Sequence, residues 1–149
     1  MFWEAVIGDS LKINITAHKF HSYALINNGK FQEAANEMLA ICERTNYSYG
    51  ETNYLLSLAL LLNGNFDGAA KLLEFMVGQK QMLTPQVYAN LIIACYFLND
   101  KEKMDFYFNR LAELTKASPE ELNEYINGYF KFLKSKVQTK NAAENHMPA

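Results

Sequence analysis

The sequence predicts an all-α fold of three consecutive helix hairpins closed by a further helix. Three observations predict it. First, a turn recurs: Asn28-Gly29-Lys30-Phe31-Gln32-Glu33-Ala34-Ala35 aligns with Asn63-Gly64-Asn65-Phe66-Asp67-Gly68-Ala69-Ala70, and the two glycines are 35 residues apart. A further 35 residues lead to Asn99, the residue type that tolerates a left-handed backbone best after glycine. Second, each turn lies between two segments of helix length. Third, Ser118-Pro119-Glu120-Glu121 combines an N-cap serine, a first-turn proline and a glutamate three residues on, which is how a helix starts.

The elements follow from the turn. A helix that ends at a positive-φ residue and restarts within two or three residues makes a hairpin. The first helices of the three copies are expected over about 16–28, 50–63 and 85–98. The second helices follow over about 30–44, 65–78 and 101–115. Pro85 suits the first position of its helix. Ala34 and Ala69 lie three residues after Phe31 and Phe66, on the same side, where a small residue lets two backbones approach. Met104 takes that place in the third copy and implies a wider crossing. In the last helix Leu122, Ile126, Tyr129 and Leu133 fall at helical spacing, as a terminal cap over the final hairpin requires. Gly128 interrupts it with a poor helix former. After Val137 the periodicity stops, so 138–149 is expected to be a flexible tail. One domain is expected over 1–137, with repeats at about 15–49, 50–84 and 85–118 and the capping helix at about 119–137. Phe2, Trp3, Val6 and Ile7 are expected to pack on the first hairpin.

Composition bounds the function. A chain of 149 residues with 50% apolar and 20% charged residues has ample material for a core. A net charge of -2 offers no general attraction to a polyanion, so nucleic acid is not the expected partner. The longest apolar runs, 54–62 and 87–98, are shorter than the ~20 residues that cross a bilayer, so no membrane insertion is expected. The first ten residues carry Glu4 and Asp9 and no basic segment, unlike an export signal, which implies a cytoplasmic location. Cys42 and Cys95 have no ligand-type spacing and read as small buried hydrophobes. His18 and His21 share a helix face, but no HExxH pattern accompanies them, so no metal site is expected there. Phosphate-cradling glycine loops, nucleophile elbows and paired catalytic carboxylates are absent from the sequence. The expectation is therefore a non-enzyme with no catalytic residue and no cofactor. Lys131, Lys134, Lys136 and Lys140 read as a solvated helix face.

Over about residues 15–118, this register resembles the tetratricopeptide family, whose unit is about 34 residues long. The family's small-residue positions fall on Ser22, Ser57 and Ile92, on Ala34, Ala69 and Met104, and on Ile41, Met76 and Leu111. The last trio is bulkier than the family prefers, and its usual closing proline is missing. The resemblance implies a right-handed α-α superhelix whose first helices line a concave groove that binds protein segments. It assigns Lys19 and Tyr23 to that groove from the first copy, Tyr54, Leu58, Leu61 and Leu62 from the second, and Ile93, Tyr96 and Phe97 from the third. Thr16, Ile26, Asn27, Glu51, Gln86 and Ala89 complete the set. Leu58, Leu61 and Leu62 have two open destinations, the groove or a neighbouring helix; the tyrosines suit a half-wet binding surface.

The family's carboxylate clamp for acidic C-terminal tails is matched only at Lys19, since Tyr23, Leu55, Gln86 and Asn90 stand where its other polar residues would. The expected ligand is instead an amphipathic helix or an apolar segment of another protein, held in a hetero-oligomer or, alternatively, a homodimer. Size, repeat count and groove character resemble the small chaperones of bacterial type III secretion. The alternatives are a scaffold subunit of a larger assembly or a self-associating repeat protein. The 35-residue period also resembles the pentatricopeptide RNA readers; at about one base per repeat, three copies would specify almost nothing.

Overall fold

The computed structural model describes residues 2–145, with side-chain surroundings for residues 14–138. The described residues are helical and contain no strand: α1 (Phe2–Asn27), α2 (Phe31–Arg44), α3 (Gly50–Leu62), α4 (Phe66–Gly78), α5 (Pro85–Phe97), α6 (Lys101–Thr115) and α7 (Pro119–Asn145). From α1 to α6 each helix packs on the next, as short connections between antiparallel helices require. In addition α1 lies beside α3, α3 beside α5, and α7 against both α3 and α5.

The recurring turn has one backbone solution in all three copies. Gly29, Gly64 and Asn99 have φ of 76, 83 and 57°. The amide after each bonds back to the third-last helical carbonyl, Lys30 N to Leu25 O at 2.8 Å, Asn65 N to Leu60 O at 2.9 Å and Asp100 N to Cys95 O at 3.0 Å. The turn amides themselves reach Ile26, Leu61 and Tyr96 at 3.0–3.1 Å. This double closure is the Schellman motif, which satisfies the orphan carbonyls of a helix end. The next helix is then capped by Asn65 Oδ1, which accepts from Gly68 N at 3.0 Å, and by Asp100 Oδ1, which accepts from Lys103 N at 3.1 Å. Lys30 supplies no such cap.

The turns between copies use the same device without glycine. Asn46 and Lys80 adopt φ of 58 and 55°, and Tyr47 N and Gln81 N reach Cys42 O and Met76 O at 2.8 and 2.9 Å. Only the first set of turns shows in the sequence, because Gly29, Gly64 and Asn99 recur at a 35-residue spacing, while Asn46 and Lys80 differ in type and stand in no repeated motif.

The interior follows the repeat register. Ser22, Ser57, Ala34, Ala69, Met76 and Leu111 are wholly enclosed, with Ile41 and Ile92 nearly so. Met104, at the degenerate position, is half-buried. A polar knot ties successive copies: Asn53 Nδ2 donates to Tyr47 O at 2.9 Å and to Gln81 Oε1 at 2.8 Å, and Gln81 Nε2 donates to Tyr47 O at 3.1 Å. Pro85 opens α5 behind Thr84, whose hydroxyl accepts from Val87 N at 3.4 Å. At α7 the start is a reciprocal capping box, Glu121 N to Ser118 Oγ at 3.2 Å and Ser118 N to Glu121 Oε1 at 3.4 Å.

Two helix bounds differ from expectation. Helix α1 begins at Phe2 and not near Thr16; the expected packing of Phe2, Trp3, Val6 and Ile7 lies outside the described side chains. Helix α7 continues to Asn145, through the segment expected to be a tail. Loss of apolar periodicity is not loss of helix propensity: Gln138, Lys140, Ala142, Ala143 and Glu144 are all good helix formers. The sequence places no glycine or proline among 138–145.

Candidate functional site

The face built by α1, α3 and α5 carries the residues expected to bind a partner, and it divides them into two groups. Tyr23, Tyr96 and Phe97 are exposed, at 46, 58 and 42%. Lys19, Tyr54 and Leu58 are half-buried. Leu61, Leu62 and Ile93 are buried, as are Ile26 and Ala89. The buried three are not an open surface.

Their cover is α7. The expected cap exists at its start, where Leu122 is enclosed with Tyr88, Ile92 and Leu111. Beyond that point α7 does more than cap. Leu133 enters the main core cluster together with Leu61, Leu62 and Ile93, while Ile126, Tyr129, Phe130 and Val137 pack partly buried against it. The apolar stripe legible in the sequence is therefore seated across α3 and α5.

Aromatic rings hold one edge of the seat. Phe66 stacks on Phe97 with centroids 4.4 Å apart, and Phe97 and Tyr96 reach Phe130 of α7 at 5.7 and 6.3 Å. Within α7 itself Tyr129 lies between Tyr125 and Phe132, at 6.3 and 6.2 Å. Lys134 and Lys136 lie over Phe130 and Phe132 at 4.6 and 5.3 Å, and Lys136 Nζ donates to Asn27 Oδ1 at 2.9 Å. Both cation–π contacts lie within α7; only Lys136 reaches another helix, through Asn27 of α1, while the Lys131 and Lys134 side chains are exposed and that of Lys140 lies outside the described side chains.

Packing under α7 is incomplete. A cavity of about 440 Å³ opens among Leu61, Leu62, Ile93, Phe130, Leu133 and Val137. A second of about 420 Å³ separates Ile92, Tyr96, Met104 and Phe108 from Ile126 and Phe130. Asn90, fully buried on α5, has neither amide atom in a hydrogen bond. Burial drives the Tyr129 phenol well above the ordinary tyrosine range, with Tyr54 adding to the shift and nearby Asn90 opposing it. Asn90 is close to that phenol, yet no bond of good geometry closes between them.

The remaining polar candidates are committed locally. Lys19 pairs with Glu51 of α3. His18 Nδ1 and His21 Nδ1 share the Glu37 carboxylate at 2.6 and 2.7 Å, hooking α1 to α2. Among the described residues no group of three or more His, Cys, Asp or Glu is placed to hold a metal ion. Cys42 and Cys95 are buried, and burial pushes both thiols up to about 11. No helix among the described residues is long and apolar enough to cross a membrane.

Comparison with protein-family models, curated proteins and solved structures gave no significant match. The functional reading rests on the residues of this chain.

Proposed function

We propose that the chain is a tetratricopeptide-type binding module whose concave α1/α3/α5 face holds an amphipathic helix or apolar segment of another protein. One observation carries this reading: the apolar stripe of α7 is seated on the side chains that the repeat register assigns to a ligand. A surface that accepts Ile126, Tyr129, Leu133 and Val137 from its own chain has the shape and chemistry to accept such a stripe from another. Exposed Tyr96 and Phe97 beside it add the aromatic anchors common at binding hot spots. A small chaperone that keeps an aggregation-prone partner soluble, as in bacterial type III secretion, is the specific form of this proposal.

A scaffold role in a larger assembly is favoured by a different observation. On the opposite side, Phe75, Leu83, Phe106 and Leu114 are exposed. Leu83, Phe106 and Leu114 border an open cleft of about 520 Å³. Purification from the native cell at near-physiological salt separates the two. The module reading expects a one-to-one complex with a small partner, weakened by Tyr96→Ala with helicity unchanged. Recovery only within a large assembly, insensitive to Tyr96→Ala but disrupted by Phe106→Asp, contradicts it.

A further inference from the structure

Helix α7 has two halves with different attachments. Before Gly128, Leu122 is locked into the cluster of Tyr88, Ile92 and Leu111, and Ser118 and Glu121 cap the first turn. After Gly128, Leu133 is the one fully enclosed apolar side chain over 129–138, while Phe132 stays 53% exposed. Gly128 itself is exposed, and a Cβ added there would meet nothing within 4 Å. It separates the halves at a point where no neighbour resists movement.

The second half is also poorly bedded. An open cleft of about 440 Å³ bordered by Phe130, Leu133 and Val137 runs beside it, so that edge lacks part of the dispersion contact of a close-packed interior. Beneath it, Asn90 keeps two unpaired amide atoms out of water, a penalty that lasts only while α7 covers them.

We propose that the second half of α7 is a resident ligand of the α1/α3/α5 face, displaced by a partner helix that repeats its pattern. That pattern is apolar or aromatic residues at the spacing of Tyr129, Phe130, Leu133 and Val137, with lysines between them. The inference rests on the binding role proposed above and names both the partner's chemistry and the control on access. Displacement uncovers Leu61, Leu62 and Ile93 for the incoming stripe. It also frees the unpaired Asn90 amide to bond with polar groups of the partner.

The probe is a fluorescently labelled synthetic peptide of residues 125–138, titrated into the full-length chain and two variants by anisotropy. Leu133→Asp unseats α7 in cis and leaves every residue of the seat unchanged. Gly128→Ala favours the helical, seated form. Because apparent affinity scales with the fraction of chains whose site is open, Leu133→Asp is expected to bind the peptide at least about tenfold more tightly than wild type. The alanine for glycine gain within a helix makes Gly128→Ala about fourfold to fivefold weaker. Far-UV circular dichroism checks that Leu133→Asp retains the other helices; should it unfold, the Gly128→Ala comparison decides alone, and an unchanged or tighter Kd overturns the proposal. Equal affinity for all three forms overturns the displacement and leaves the binding role standing. Binding to none of them overturns both.

Discussion

Replacing Gly64 by alanine isolates the cost of the recurring turn. Gly64 holds φ of 83°, and a Cβ at that position would meet nothing within 4 Å, so no packing term enters. What remains is the left-handed backbone, which costs an L-residue about 1–2 kcal/mol, offset by roughly 0.4–1 kcal/mol from the stiffer unfolded chain. The net destabilisation is about 1 kcal/mol, which for a chain of this size lowers Tm by about 2–4 °C. Lys80→Gly is the complementary change. Lys80 occupies φ of 55° in the turn after α4, so glycine there should raise stability by an amount of the same order. Urea unfolding followed by circular dichroism reads both, with an unchanged m-value expected. Opposite signs are required by the shared Schellman geometry. Stabilisation by Gly64→Ala, or a loss above about 4 kcal/mol that only a packing defect produces, would refute the reasoning.

Three further outcomes follow from the same residues. The phenol of Tyr129 is held above the ordinary value of 10.0 chiefly by burial, so the unfolded chain releases its proton first; stability is full below about pH 10 and lost as pH rises beyond it. Urea midpoints should be flat from about pH 7 to 9 and then fall, less steeply in Tyr129→Phe; an identical fall in that variant would remove Tyr129 from the explanation. Cys42 and Cys95, both buried with thiols pushed up to about 11, should resist iodoacetamide at about pH 8 until urea is added, as counted by mass spectrometry. Rapid native labelling of either would show that its helix opens. Lys30 leaves α2 without the side-chain cap that Asn65 and Asp100 give α4 and α6, and Lys30→Asn should raise stability by about 0.5–1 kcal/mol in the urea assay; no gain would mean that the first hairpin cannot orient a cap.

The hairpins were legible because each depends on a backbone conformation that few residues adopt cheaply. Gly29, Gly64 and Asn99 announce themselves, and the apolar residues on either side count out the helices. The turns at Asn46 and Lys80 use the same conformation with residues that give no signal. The course of α7 was legible in its stripe and illegible in its direction. Leu122, Ile126, Tyr129 and Leu133 tell that one face is buried, but local spacing holds no information about whether that face meets only α5 and α6 or reaches across to α3. For the same reason Leu58, Leu61 and Leu62 carried two destinations in sequence. Tyr23, Tyr96 and Phe97 are exposed. The shared hold of His18 and His21 on Glu37 depends on how α1 and α2 are rotated, which no pattern within α1 encodes.

The central claim is that the α1/α3/α5 face takes an amphipathic helix and that the second half of α7 is its resident. Hydrogen exchange on the complex purified from the native cell, compared with the free chain, tests this most directly. Amides of 129–138 should lose protection on complex formation while those of α3 and α5 gain it. Unchanged protection in α7, with the gains confined to α4 and α6, would contradict the account.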